Sequence, residues 1–290
     1  MSGYWGIDLA LGDVVDDTLD KLTSFPELTA KDIEALLAIL VGGKKRVEKV
    51  VLSSRTVWIK RYGTEKPTWW RHLQTGLSRL IPSPCLRPSP YLSPAEMAER
   101  ERRRIRLFEQ RGVAAPKVLY SSRGAMVLGD VGMTVHARLR QLKDTDHVAH
   151  DDLLVACASE LGRLHGAGLC HGRPYPRDMF FAGNRLGFMD FEEEPQTVMP
   201  LETAQARDLW LLFLQIASNA RLGQATYDRA YAAWKNQAPA AAIADLGRMT
   251  GFLGRFLSLA RLIGRLHMGS DLQRFIVATG YLTTVSLDDR

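Results

Sequence analysis

Cysteine is scarce in this chain. Cys85, Cys157 and Cys170 are the whole complement, widely spaced and with no C-x-x-C pair. That argues against a disulfide framework or a zinc site and for a reducing compartment. The three read as small buried hydrophobes. Long apolar runs are missing as well: stretches such as Leu209 to Leu214 fall well short of the roughly 18 to 20 residues that span a bilayer. Met1 to Leu11 lacks a basic region followed by an apolar core, so no secretory leader is expected. The expectation is a soluble or peripheral protein of the cytoplasm. No internal repeat and no low-complexity tail stands out. What is present is ample: 290 residues, 46% of them hydrophobic, suffice for one large or two small domains. The net charge of +6 and pI near 9.3 reflect a mild basic excess that clusters. It suits a polyanionic partner such as a nucleotide, a membrane surface, a phosphorylated glycan or a nucleic acid.

Residues 13–41 read as a helical preamble. Thr29 supplies an N-cap and Asp32 a first-turn acid, Ile33, Leu36, Leu37 and Leu40 recur at helical spacing, and Gly42-Gly43 stops the run. Residues 46–61 are rich in β-branched and aromatic side chains, split at Ser53-Ser54, and predict a hairpin ending in Ile59-Lys60-Arg61. Residues 63–94 form a proline-rich insert with Trp69-Trp70 beside arginines and no acid between Lys66 and Tyr91. This composition suits an anionic membrane surface or a glycolipid contacted through residues 66–90. A very basic helix follows over 95–111, with Ser93 as N-cap, Pro94 at its first position, acids early and arginines late, in keeping with the helix dipole. Strands are expected at Pro116 to Tyr120 and Ala125 to Leu128, and helices at Thr134 to Leu142, Asp151 to Leu164 and Thr203 to Ser218. Residues 226–285 read as mostly helical. There Phe252, Phe256, Leu259, Leu262, Ile263 and Leu266 make one stripe interleaved with Arg248, Arg255, Arg261 and Arg265. Gly247, Gly251 and Gly254 could suggest a membrane dimer motif, but the arginines argue for a helical lobe with a basic outer face.

The stretch from His171 to Phe181, followed by Leu186 to Glu192, organises the rest: a helix ending in Leu164-His165, a polar loop, an apolar run, a turn at Ala182-Gly183-Asn184, and a second apolar run ending in Asp190. It resembles the catalytic and metal-binding loops of the protein-kinase-like superfamily, whose patterns are H-x-D-x-x-x-x-N and D-F-G. Val57-Trp58-Ile59-Lys60 resembles that superfamily's V-A-I-K strand, although no G-x-G-x-x-G precedes it. Gly129-Asp130-Val131-Gly132 resembles the adenine-binding hinge, and Arg207-Asp208-Leu209-Trp210 the helix that braces the catalytic loop. Leu164 to Gly168 leading into His171-Gly172, and Glu101 through Gly112 to Leu119, are most similar to the small bacterial branch containing lipopolysaccharide core heptose and Kdo kinases and its relatives, the small atypical kinases of the tRNA-modifying KEOPS complex. The resemblance spans about residues 46–220.

It implies an α+β, protein-kinase-like bilobal fold. A helical extension (1–45) would precede a small β-rich N-lobe (46–132, carrying the insert 63–94) and a mostly helical C-lobe (133–290, with catalytic and metal loops at 171–194). It implies ATP and Mg²⁺ as cofactors. Lys60 would neutralise phosphate charge, positioned by Glu101, with Glu99 the runner-up. Backbone groups around Gly129 and Val131 would bind adenine. Asp178 and Asp190 would be the metal ligands, and His171 would orient the loop.

Three family residues are changed: Arg173 stands at the catalytic aspartate, Asp178 at the metal asparagine, and Glu192, opening the run Glu192-Glu193-Glu194, at the glycine after Asp190-Phe191. An arginine cannot take a proton from an acceptor hydroxyl, though it can clamp a phosphate. Two readings follow. One is an atypical ATP-dependent phosphotransferase acting on a sugar or lipid headgroup such as a lipopolysaccharide-type glycolipid, or on protein Ser/Thr. The other is a pseudokinase scaffold. A nucleic-acid partner is not expected, since neither an aromatic stacking sheet nor a helix-turn-helix signal is present.

Overall fold

The computed structural model describes residues 28–63, 85, 87, 90 and 92–288; most of the expected preamble (13–27) and nearly all of the basic insert fall outside them. The fold is α+β. The chain divides into two compact units, one made of residues 1–67, 92–102 and 116–130, the other of 68–91, 103–115 and 131–290.

The first unit is a four-stranded antiparallel sheet: β1 (Val47–Val51), β2 (Thr56–Arg61), β3 (Val118–Ser121) and β4 (Ala125–Gly129), in the order β1-β2-β4-β3. Helix α1 (Ala30–Gly42) supplies its cover. Leu36 packs with Val50, Leu52, Val57, Ile59, Tyr120 and Val127 as one apolar cluster, so alternate residues of the paired strands reach the same core. Asp32 locks the helix to the hairpin. It accepts from the Thr29 backbone and hydroxyl, closing a capping box, and from the backbone and hydroxyl of Ser53 in the β1–β2 turn. These donors, the Ser53 N–H foremost, pull its carboxyl down to about 2.

Helix α2 (Pro94–Gln110) contributes residues to both units, the division falling between Arg102 and Arg103. The second unit is otherwise a helical body around a short hairpin. Its elements are α3 (Val135–Leu142), α4 (His147–Gly166), β5 (Met179–Ala182), β6 (Arg185–Phe188), α5 (Leu201–Asn219), α6 (Gln224–Lys235), α7 (Ala240–Gly254), α8 (Leu257–Leu266) and α9 (Ser270–Asp288). The hairpin pairs Met179 with Phe188 and Ala182 with Arg185 across the expected turn. Trp234 is fully buried and donates its indole N–H to His165 Nδ1 at 2.9 Å. Asp151, also buried, accepts from the backbone of Arg221 and Leu222 and from the Thr226 hydroxyl, fixing the start of α6 to α4.

Within the run of arginines on α2, Arg104 is 1% exposed, because carbonyl oxygens converge on it as described below. The stripe that runs through α8 does not face the core. Phe256, Leu259, Leu262, Ile263 and Leu266 are exposed, and α8 packs through Leu257 and Ala260 instead.

Candidate functional site

In the first unit the apolar strand β2 ends on a cation. Lys60 Nζ donates to Glu101 Oε1 at 2.9 Å and lies 2.8 Å from Oε2, both side chains being almost wholly buried. The Tyr62 hydroxyl donates to Glu101 Oε2 at 2.7 Å. A buried carboxylate is tolerable only when its lone pairs are matched, and here a lysine and a phenol match them. Glu99, the runner-up, pairs instead with Arg102. At the end of β4 the Gly129 N–H donates to Lys117 O at 2.9 Å, so that donor is committed to the sheet. Asp130 accepts the Trp58 indole N–H at 2.7 Å. Val131, next in the chain, is half-buried.

The second unit builds the polar loop from beneath. Asp208 on α5 accepts the backbone N–H groups of His171, at 2.5 Å, and Gly172, at 2.8 Å. Burial pushes the Asp208 carboxyl up, and its hydrogen bond and charge contact with His165, together with His171, outweigh this to leave it below its ordinary value. His165 Nδ1 accepts from Trp234, so the ring proton is on Nε2, 3.5 Å from Asp208. Gly172 adopts φ +101°, and a Cβ there would stand 2.8 Å from Glu193 Cβ; only glycine gives the loop this turn.

His171 ties the two loops together. Its Nε2 faces Met189 O at 3.0 Å and its Nδ1 accepts the Arg173 N–H at 3.3 Å, the pattern of a neutral ring protonated on Nε2. Burial drives its pKa from 6.5 to about 4. It packs among Phe108, Phe188 and Phe191, a positioning residue and not a base.

Arg104 is a member of this site that sequence reasoning missed. Its guanidinium donates to the carbonyls of His171 and Cys170 and to that of Glu193, and it lies over the rings of Phe108 and Phe191. The signal available was its i, i+4 spacing with Phe108, which places it on the apolar side of α2 beside Ile105.

Arg173 makes the loop unusual. It reaches Asp190 at 2.8 Å and Asp178 at 4.0 Å, while Arg177 stands 3.6 Å from the other Asp178 oxygen. Both guanidinium groups lie over the Tyr175 ring. Burial opposes the Arg173 charge, and Asp190 followed by Asp178 more than restores it. Asp190 has φ +66°, the one positive value on a non-glycine among the described residues. Such a backbone costs energy unless its surroundings enforce it. The His171–Met189 bond and the Met189 N–H to Asp178 O bond at 2.9 Å do so on its N-terminal side. Of the acidic run, Glu193 pairs with Arg207 and buried Glu194 with Arg103, and a Glu192 oxygen lies within 4.8 Å of Asp190.

The donor chemistry fits a hard divalent cation: carboxylate oxygens from Asp190 and Glu192 lie close together, with Asp178 on the same loop system. Arg173 already neutralises part of that charge through one Asp190 oxygen, so a metal would compete with its guanidinium.

No protein-family model and no curated protein matches the chain. Among solved structures it is similar to one described as "WaaP in complex with acyl carrier protein", at 14% identity and a TM-score of 0.42, covering 67% of this chain and 76% of that one. It is also similar to "The complex structure of Rv3197-erythromycin from Mycobacterium tuberculosis", at 14% identity and a TM-score of 0.36, covering 95% and 86%.

Proposed function

We propose that the chain is an atypical kinase-like phosphotransferase that uses ATP and a divalent metal, with a sugar or lipid headgroup, such as that of a lipopolysaccharide-type glycolipid, as acceptor. The observation that carries this reading is the construction of the polar loop. Asp208, His171 and Arg104 spend six hydrogen bonds on its backbone and its neighbour's, and Asp190 stands at positive φ, the one non-glycine among the described residues to do so. The buried Lys60–Glu101 pair supports it independently, since a lysine oriented by a carboxylate is a fixed counter-charge for phosphate oxygens.

Lys60, held by Glu101, would meet the nucleotide phosphates. Backbone groups around Gly129 and Val131 would hold the adenine, without the Gly129 N–H. Asp190, with Glu192 or Asp178, would hold the metal, which when bound supplies positive charge to the phosphates. His171 would keep Met189 and the following Asp190 in place. Arg173 cannot serve as base; released from Asp190, it would bind phosphate oxygens, consistent with a loose transfer in which positioning and charge outweigh proton removal.

Arg173 also supports a second reading, a pseudokinase that binds nucleotide or a partner without transfer, because its ion pair with Asp190 already satisfies the carboxylate that a metal needs. Calorimetry of ATP binding with and without Mg²⁺, on wild type and Asp190→Asn, separates the two. Asparagine keeps the size and tolerates positive φ. Magnesium-dependent binding abolished by the substitution, followed by label transfer from ATP to an envelope extract, is the expected result. Metal-independent binding with no transfer would favour the scaffold, and no binding at all would remove the phosphotransferase and leave only a nucleotide-free scaffold.

A further inference from the structure

Helix α8 turns its apolar side outward. Leu257 and Ala260 are its buried contacts, and on a helix of 3.6 residues per turn they fall on one side. Leu259, Leu262, Ile263 and Leu266 recur at i, i+3, i+4 and i+7 on the other side, 56, 56, 46 and 87% exposed. Phe256 and Met268, both about half exposed, extend the stripe at its two ends. Six of the fourteen exposed large hydrophobics among the described residues thus fall within thirteen positions, a concentration that marks an interaction surface.

The charge around the stripe is of one sign. No acid occurs between Asp245 and Asp271. Arg255, Arg261 and Arg265 are exposed and form no salt bridge among the described residues. Arg261 and Arg265 project on the flank between the packed side and the apolar stripe, so their guanidinium groups would lie level with phosphates when the leucines are immersed. A second copy fits this face poorly, because a self-complementary pairing would bring the same arginines towards one another around the apolar contact. With ten residues, α8 is far shorter than the roughly 20 that cross a bilayer, and no helix among the described residues is long and apolar enough to cross a membrane.

We infer that α8 is an in-plane anchor that seats the protein on an anionic phospholipid bilayer, with Leu259, Leu262, Ile263 and Leu266 entering the acyl boundary and Arg255, Arg261 and Arg265 contacting lipid phosphates. This surface shares no residue with the polar loop.

Vesicle co-sedimentation of the full chain tests it, with vesicles of phosphatidylcholine alone and of an equal mixture with phosphatidylglycerol. The wild type should bind the anionic vesicles at least roughly tenfold better, as expected for several arginines near a charged surface. The triple variant Leu259→Gln/Leu262→Gln/Ile263→Gln should fall to the phosphatidylcholine level with an unchanged circular dichroism spectrum, because about half of each side chain is exposed and glutamine is a good helix former. Arg261→Gln/Arg265→Gln should lose the salt-sensitive part of binding. Wild type that ignores anionic vesicles, or a triple variant that sediments like wild type, overturns the inference. So does a concentration-dependent dimer in sedimentation equilibrium that the triple variant abolishes, which would assign the stripe to a second copy.

Discussion

At 2.8 Å from Asp190 and 4.0 Å from Asp178, the Arg173 guanidinium competes with any divalent cation bound by the same oxygens. Two unit charges 4 Å apart exchange about 4 kcal/mol at an effective dielectric of about 20, and solvent reaching the partly exposed Arg173 and Asp190 screens part of it. Replacing Arg173 with Met keeps an unbranched apolar stem and removes the charge. Arg173→Met should therefore bind Mn²⁺ about tenfold more tightly, read from the fall of the free-ion signal in electron paramagnetic resonance, with or without nucleotide. An unchanged affinity would mean that the two aspartates do not bind the ion. The Lys60–Glu101 pair gives the opposite kind of test. Lys60→Met removes the cation from buried Glu101 and should cost about 3 to 5 kcal/mol in urea unfolding. Lys60→Met/Glu101→Leu should recover most of that, since well-packed apolar residues often replace a buried ion pair without loss. If the double variant is no more stable than the single, the pair is not isolated from water as the geometry indicates.

Among the elements, the crossing of α4 and α6 is set by a glycine. A Cβ on Gly162 would lie 2.6 Å from the backbone oxygen of Trp234 and 2.9 Å from Gln237 Cβ. Two effects oppose each other in Gly162→Ala: helix propensity favours alanine by about 1 kcal/mol, while forcing two packed helices apart costs about 1 to 3 kcal/mol. The nearest neighbour is main chain, which cannot rotate away, so net destabilisation of about 1 to 2 kcal/mol is expected in thermal unfolding, and a stabilised variant would show that the helices pack more loosely. Elements with a local signal were legible in the sequence. The Thr29 cap, the Gly42-Gly43 stop, the split hairpin, and the α2 start at Ser93-Pro94 all stand where their residues predict, because caps and turns are decided by a few adjacent side chains. The brace from Asp208 was legible through resemblance. The burial of Arg104 had only the faint local signal of its i, i+4 spacing with Phe108; its partners are three carbonyls from segments about 66 to 89 positions away. The outward stripe of α8 was equally hidden. Periodicity reveals that a helix has an apolar face, but only tertiary contacts decide whether that face is covered.

For the molecule as a whole, these buried groups dictate an acid-labile protein. His171 is neutral in the folded state, with its pKa lowered by burial from 6.5 to about 4. The unfolded chain thus binds a proton that the folded chain refuses, and stability is unaffected above pH 6.5 and falls as the pH drops from about 6.5 to about 4. A shift of this size is worth about 3 kcal/mol once both forms would be protonated. His165, also lowered by burial, adds to the same fall. Asp208 and Asp151, held below their ordinary values, contribute stability that persists through this window and is lost only at lower pH, as they are protonated in the folded state. Urea midpoints measured from pH 7 to pH 4 should therefore decline well before the carboxylates titrate. His171→Gln removes the titrating ring while an amide N–H can still reach Met189 O; it should be less stable than wild type at pH 7, having lost its packing among three phenylalanines, yet show a shallower decline between pH 6.5 and 4, with the remaining slope due to His165. A decline as steep as that of the wild type would place the His171 ring in contact with water, and the link from His171 to Met189 and on to Asp190 would then not be the fixed support on which the conformation of that aspartate depends.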